Sequence, residues 1–335
     1  MLSPAEIRSP FQWRNINHPM MLTSQNSSSH PVSFILLGIP GLENSQFGVA
    51  FPFCAMYVVA LVGNITLLHV IQTDPTLHEP MYLFLAMLAI IDLVLTSTQP
   101  KMLAILWFHN HEIEYHACLI RLFFIHAFSS VESGLLMAIA LDGYVAICFP
   151  LHHSSILTPS VVGKLGAGMM MRELLWVSPF CFTVSRMCFC PIWIIPQSYC
   201  EHMAVMKLVC ADTRVNHACG LFAAFSVVGF DVIVISVSSV MIWRTVLWLP
   251  SGEAQFKAFG TCASQVILAF YVPALFTYLT HCFGYQVPRM VHVMLAILYL
   301  LVPPMLNPII YGDRTKQIRD RVVQGCCRKD PWTKA

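Results

Sequence analysis

The sequence predicts an all-α membrane protein, a seven-transmembrane helix bundle that ends in a short amphipathic C-terminal helix. Two observations lead to this prediction. Of the 335 residues, 57% are hydrophobic and only 11% are charged, whereas about a quarter of the residues in a soluble domain are charged. The chain also contains seven apolar windows of about 20 residues or more, enough to cross the roughly 30 Å core of a bilayer. The predicted spans are Phe47–Ile71, Pro80–Leu106, Cys118–Phe149, Ser160–Phe182, Ala218–Trp243, Gln255–Thr280 and Val287–Tyr311.

The charges that flank these spans predict their orientation. Seven of the nineteen Lys and Arg residues follow Tyr311, which favours a cytoplasmic C-terminus because positively charged segments stay inside. With an odd number of spans the N-terminus lies outside, where the sequon at Asn26 would be glycosylated. We therefore expect an extracellular segment over 1–46, a membrane domain over 47–311 and a cytoplasmic tail over 312–335.

Prolines inside the spans predict kinks, since each proline removes a backbone hydrogen bond and distorts the helix. They occur in spans two, four, six and seven, at Pro100, Pro179, Pro273, Pro303, Pro304 and Pro308. Beyond span seven, charged and apolar residues alternate at helical spacing over Thr315–Gln324. This pattern is typical of a short helix lying along the membrane surface.

The segment Thr183–His217, between spans four and five, predicts a packed lid because it is rich in aromatic residues, prolines and cysteines. Cys190, Cys200 and Cys210 recur there at ten-residue spacing, in an extracellular setting where disulfides persist. Cys118, at the outer end of span three, is a fourth candidate. Spacing alone leaves the pairing open.

Charged residues at membrane depth are costly and therefore informative. Asp92 in span two and Glu132 in span three are expected at similar depth, where they would share a proton or hold a cation. A polar packing cluster with water is the alternative. For Asp231 in span five, a structural role is the simpler interpretation. Three histidines lie in the first outer loop, His109, His111 and His116. They are more simply interpreted as solvated side chains than as a metal site.

The motifs of the common catalytic classes do not occur in the sequence. It has no Walker loop, no zinc-protease HExxH pair and no GxSxG elbow. It also lacks the inverted repeat typical of many transporters. We therefore expect neither an enzyme nor a cofactor, apart from the ion or proton at the carboxylate pair.

A series of motifs occurs in a fixed order along the chain, at Gly63-Asn64, Leu77–Leu93, Pro100–Leu103, Phe123–Thr158, Lys257–Ser264, Phe270–Pro273 and Pro303–Gly312. Together they resemble the motifs of olfactory receptors. "GIPGLE" at Gly38–Glu43 and "HCFG" at His281–Gly284 resemble the class I, or fish-like, branch. The resemblance implies a rhodopsin-like G-protein-coupled receptor of the plasma membrane that binds a small organic odorant and activates a stimulatory G protein.

The resemblance also implies roles for particular residues. It pairs Cys118 with Cys200, and Cys190 with Cys210. It implies an ion or proton site at Asp92, Glu132 and Asn307. It implies an odorant pocket lined by His126, Ser129, Ser130, Met203, Tyr271, Tyr278 and Cys282. The activation and G-protein contact region would comprise Asp142, Gly143, Tyr144, Ser239, Pro308 and Tyr311.

The chain departs from the family pattern in two regions. In the activation region, Gly143 replaces the arginine of Asp-Arg-Tyr and Ser239 replaces a tyrosine. The stretch from Gln265 to Phe270 is about two residues short, which would rotate part of span six by about 200°. These three changes predict weakened signalling. In the pocket, Cys282 stands where class I receptors often carry an arginine, which predicts neutral or weakly polar odorants rather than carboxylic acids.

Overall fold

Long helices running side by side form the fold in this computed structural model, which describes residues 31–39, 46–191, 193–211, 214–247, 289–314 and 318–321. The helices are α1 (Gln46–Thr73), α2 (Pro80–Ser97), α3 (Pro100–Phe108), α4 (Tyr115–Cys148), α5 (His153–Ile156), α6 (Pro159–Ser185), α7 (His202–Met206), α8 (Arg214–Leu247) and α9 (Arg289–Arg314). Three short strands are β1 (Ser33–Leu36), β2 (Glu112–Glu114) and β3 (Ile194–Ile195). Several predicted features lie outside the described residues: span six, Asn26, Tyr271, Tyr278 and Cys282.

Predicted spans one, three, four, five and seven each correspond to one long helix. Span two is instead divided into α2 and α3, because Pro100 at the start of α3 has no backbone N–H to continue the preceding helix. Among the described residues, five segments are long and apolar enough to cross a membrane: Gly48–Thr73, Pro80–Phe108, Tyr115–Cys148, Ala218–Thr245 and Met290–Gly312. The 27-residue α6 is also long enough, but Arg172 and Glu173 interrupt its apolar run.

Helix α4 occupies the centre of the bundle and packs against α2, α6 and α8. Helix α1 packs against α2 and α9 on one side. The main core between these helices is built from large aliphatic and aromatic side chains, among them Phe84, Leu88, Leu95, Val131, Leu135 and Ile235. Because α4 contacts three helices, residues on its different faces belong to different interhelical sites.

One end of the bundle carries a small sheet, and we call it the sheet end. Strand β1 lies between β2 and β3, antiparallel to β2 and parallel to β3. Phe34 of β1 is fully buried against Tyr115 and Phe189. The segment between α6 and α8 therefore forms a packed lid, as its composition predicts.

The opposite end, which we call the tail end, holds the last described residues of the chain. Residues 318–321 are helical, and Ile318 is buried in the main core. Arg321 Nε lies 2.7 Å from Asp74 Oδ2 in the loop after α1. Hydrogen bonds from the backbone and hydroxyl of Thr76 hold the pKa of the Asp74 carboxyl below its ordinary value, and Arg321 lowers it further.

A close contact joins α1 to α9. Pro308 has no N–H to donate to the carbonyl of Pro304, and Asn64 Nδ2 donates to that carbonyl oxygen at 2.8 Å instead. The neighbouring Gly63 allows this approach, since a Cβ there would lie 2.7 Å from Pro308 Cγ. The Gly-Asn pair thus has a physical explanation: one residue makes room for the proline ring and the other satisfies the carbonyl that the ring leaves free.

Candidate functional site

A buried carboxylate pair lies where α2, α4 and α9 meet. Asn307 Nδ2 donates to Asp92 Oδ2 at 2.9 Å and to Glu132 Oε1 at 3.0 Å. Asp92, Glu132 and Asn307 are 0%, 2% and 5% exposed. Asp92 Oδ1 has no hydrogen-bond partner within the described part of the chain. One amide thus satisfies one oxygen of each carboxyl group, which leaves Asp92 Oδ1 as an acceptor available to an ion or a proton.

A second group of polar side chains lies between this pair and the sheet end. His126, half-buried on α4, has its ring centroid 6.3 Å from that of His202 on α7. Glu201, which precedes His202 in the chain, also lies near His126. Ser129, one turn further along α4, lies near Tyr299 on α9. The group therefore joins α4, α9 and the lid.

Four of the predicted pocket residues can be located in this region. His126 and Ser129 belong to the polar group, while Ser130 and Met203 are half-buried beside Ser129 and His202 in the chain. The sequence analysis missed Glu201, His202 and Tyr299. A signal for the first two was available, because they directly follow Cys200, and a bond from Cys200 to Cys118 on α4 would bring them to the bundle.

Both disulfide pairings that the resemblance implies are present in the structure. Cys118 is bonded to Cys200 with a Cα–Cα distance of 5.6 Å. Cys190 is bonded to Cys210 with a Cα–Cα distance of 5.1 Å. The first bond fixes the lid to α4, and the second closes a loop within the lid.

At the tail end of α4, Asp142 is 3% exposed and its Oδ1 lies 2.9 Å from Nε2 of His153 on α5. Gly143 contributes no side chain, and a Cβ built there would have Ile242 Cδ1 as its nearest neighbour, at 4.0 Å. The Ser239 hydroxyl is buried without a hydrogen-bond partner among the described residues. Tyr144 packs edge-to-face against Phe149. On α9, Pro308 lies against α1 and Tyr311 is half-buried against the main core.

A third polar cluster, on the α6 and α8 side of α4, contains Asp231. Ser133 Oγ donates to Asp231 Oδ2 at 2.6 Å, and Arg172 Nη2 lies 3.3 Å from Asp231 Oδ1. Arg172 also contacts Glu173. The hydrogen bonds at Asp231 agree with the structural role that the sequence analysis favoured. That analysis missed Arg172 and Glu173, although two adjacent charges within a predicted span were a visible signal.

A sequence model of the olfactory receptor family matches residues 53–329 of the chain. This match covers most of the helical bundle and all three polar groups. The chain belongs to the olfactory receptor family. It is 74% identical to human olfactory receptor 52R1 over 315 residues, which cover 93% of this chain and all of that receptor. It is 49% identical to human olfactory receptor 52K1 over 313 residues, covering 92% of this chain and all of that receptor.

Family membership sets the general function of this receptor. It is a multi-pass protein of the plasma membrane that takes an odorant as ligand and couples to a G protein, and it is not an enzyme. These relatives are also consistent with the class I branch that the sequence motifs indicate.

Proposed function

We propose that this receptor binds a small, neutral or weakly polar odorant in the sheet-end half of the bundle and signals through a stimulatory G protein. The sheet end and the N-terminus face the outside, and the tail end faces the cytoplasm. The proposed pocket residues are His126, Ser129, Ser130, Met203, Tyr271, Tyr278 and Cys282. Support for this location comes from the polar side chains that α4, α9 and the disulfide-bonded lid direct toward one another.

The observation that carries the ligand class is the buried carboxyl group of Glu201, which is 8% exposed and lies near His126. A ligand carboxylate beside His126 would lose its hydration and also meet this negative charge. Arg121 on α4 does not compensate, because five positions along a helix place it about 140° around the axis from His126. A neutral hydroxyl or carbonyl group carries no such charge penalty. His126 Nδ1 lies 2.9 Å from the Leu122 carbonyl oxygen and therefore donates there, so Nε2 of the neutral ring is an acceptor to which a ligand hydroxyl could donate.

The ligand class is tested with matched odorants of equal chain length that end in an alcohol, a ketone or a carboxylic acid. Cyclic AMP is measured in cells that express the receptor, with surface labelling to correct for its amount. We expect the alcohols and ketones to act at lower concentrations than the acids. Carboxylic acids that act at lower concentrations than their neutral partners would contradict the proposal.

A second proposal concerns signalling strength: this receptor folds and binds odorant but couples poorly to its G protein. The supporting observation is the combination of Gly143, which offers no cation, with the Ser239 hydroxyl, which has no hydrogen-bond partner in the described part of the chain. Asp142 pairs with His153 of α5 instead of with a neighbouring arginine. At positions 143 and 239, this chain therefore has neither the arginine nor the tyrosine of the family pattern.

Restoring the arginine tests this second proposal. Among the described residues outside its own helical turn, the nearest atom to the Cβ position of Gly143 is Ile242 Cδ1 at 4.0 Å, which leaves room for a side chain there. We expect Gly143→Arg to raise basal and odorant-evoked cyclic AMP at equal surface level. Gly143→Ala is the control, because it restores about 0.5–1 kcal/mol of helix propensity without a charge. If Gly143→Arg does not raise cyclic AMP, or if Gly143→Ala raises it equally, the missing cation is not the cause of poor coupling.

We further propose that Asp92, Glu132 and Asn307 hold a sodium ion or a shared proton. The proposal rests on the two buried carboxyl groups, which would otherwise carry two negative charges at membrane depth. A bound sodium ion or a shared proton would reduce the net negative charge of the pair. Because α2, α4 and α9 all contribute, occupancy would stabilise one relative arrangement of these helices.

A further inference from the structure

Among the described residues, the cluster on the other side of α4 has one positive group for two carboxyl groups. Arg172 and Glu173 on α6 and Asp231 on α8 are joined by the contacts described above, and Ser133 of α4 completes the cluster. The side chains of Glu173 and Asp231 are both 0% exposed. If both were ionised, the cluster would carry one net negative charge near the middle of a membrane span, where such a charge is strongly unfavourable.

The two carboxyl groups have different surroundings. Each oxygen of Asp231 receives a hydrogen bond, one from Ser133 and one from Arg172. Glu173 Oε1 accepts from Arg172, but Glu173 Oε2 has no partner among the described residues. Donors to both oxygens favour the ionised form at Asp231, whereas an unsatisfied buried oxygen disfavours it at Glu173.

We propose that Glu173 binds one proton on Oε2, so that the cluster consists of a guanidinium, a carboxylate and a neutral carboxylic acid. The proton comes from water and binds the carboxylate oxygen with no other bond change. A metal cation is a poor alternative, because Arg172 already places a positive charge between the two carboxyl groups. The charged groups that surround Glu173 in the described structure are Arg172 on its own helix and Asp231 on α8, while α4 contributes only the Ser133 hydroxyl.

This proton site is separate from the carboxylate pair but shares a helix with it. Glu132 and Ser133 are consecutive on α4, about 100° apart around its axis, so one faces α2 and α9 while the other faces α6 and α8. A rotation of α4 would therefore change both sites together. With the proton bound the cluster is neutral, and it then adds to the apolar packing of α6 and α8 against α4.

Infrared spectroscopy of the purified receptor in lipid nanodiscs tests the proposal directly, through the carbonyl stretch of protonated carboxylic acids. Glu173→Gln removes the acid, and we expect the band to lose the intensity of one group. Asp231→Asn leaves Arg172 with a single carboxyl partner, so Glu173 ionises and the same intensity disappears. Ser133→Ala changes no charge and serves as the control that retains the band.

An unchanged band in Glu173→Gln would overturn the proposal. Should that variant fail to fold, an unchanged band in Asp231→Asn would overturn it equally. The alternative is that the cluster binds a cation. It is tested by measuring, in the wild type and in Glu173→Gln, how much Tm increases when sodium chloride replaces choline chloride. We expect Glu173→Gln to show the same increase as the wild type, and loss of a wild-type increase in this variant would also overturn the proposal. Neither measurement requires an odorant or a G protein.

Discussion

The contact between Gly63 and Pro308 leads to a prediction about stability. Replacing Gly63 with Ala places a methyl group 2.7 Å from Pro308 Cγ and 3.0 Å from its Cβ. The proline ring cannot rotate away. The helices cannot separate freely either, because Asn64 holds the Pro304 carbonyl at 2.8 Å. We therefore expect Gly63→Ala to strain the interface between α1 and α9.

The size of the effect follows from two opposing contributions. An extra methylene in a packed core costs about 1–3 kcal/mol, while Gly to Ala in a helix gains about 0.5–1 kcal/mol. The net loss in the free energy of unfolding is then about 0–2.5 kcal/mol. The nearby hydrogen bond adds to this loss if the backbone moves, since a buried carbonyl without a partner is unfavourable.

Two glycines in the same receptor provide matched controls. A Cβ at Gly166 would lie 2.5 Å from Met87 Sδ, an even shorter contact than the one at Gly63, but the methionine side chain can move aside. A Cβ at Gly48, on α1, would have no neighbour within 4 Å among the described residues. Thermal unfolding of the purified receptor should therefore give a lower Tm only for Gly63→Ala. Equal lowering by Gly63→Ala and Gly166→Ala, or no lowering by either, would refute the reasoning.

The remaining predictions concern the lid, the tail end and the carboxylate pair. Cys200→Ser should lower the free energy of unfolding by about 2–5 kcal/mol and reduce surface labelling. Cys219 is an exposed free thiol, so Cys219→Ser should change neither quantity. Equal effects of the two substitutions would contradict the role of the disulfide in fixing the lid. Asp74→Asn should lower Tm at pH 7, because the folded-state pKa of Asp74 is depressed by Thr76. The stabilisation by ionised Asp74 is present above the pKa of an unfolded aspartate, about 3.9, and is lost as the pH falls through the lower pKa of the folded state. The difference in Tm between the wild type and Asp74→Asn should therefore become smaller in acid. A sodium ion at Asp92 predicts that Asp92→Asn abolishes a sodium-dependent rise in Tm. A shared proton predicts no such rise in either protein, and a rise that persists in Asp92→Asn would contradict both.

The carboxylate pair could be predicted because both charged residues can be recognised in the sequence without knowledge of the packing. Asp92 and Glu132 are isolated charges in apolar windows. Residues at equal depth on neighbouring antiparallel helices can contact one another, so the two carboxyl groups were expected to meet. Asn307 entered only through the family resemblance. No periodicity in the sequence indicates that its amide bridges both carboxyl groups.

The Arg172 cluster could not be assembled from the sequence in the same way. The charges of Arg172 and Glu173 are visible, but hydrophobic spacing does not tell which helix α6 faces at that depth. Their partner Asp231 lies 59 residues after Arg172. The pairing depends on the packing of α6 and α8 against α4, which is a tertiary property.

The contact between Asp142 and His153 was hidden for a similar reason. The two residues are 11 positions apart, and a continuous helix would separate them by about 16 Å. They meet only because α4 ends at Cys148 and the chain turns back through Pro150 into α5. Sequence reasoning identified Gly143 as a departure but could not supply the partner that Asp142 has here.

Odorant-evoked cyclic AMP in cells that display the receptor, compared between the wild type and His126→Phe, tests the central claim most directly. The substitution retains an aromatic ring but removes both ring nitrogens. A hydrogen bond between the odorant and His126 is worth about 0.5–1.5 kcal/mol, so the concentration for half-maximal response to a neutral odorant should rise about two- to tenfold at equal surface level. A neutral odorant that acts equally on both proteins would contradict the proposed pocket, as would a receptor that responds only to carboxylic acids.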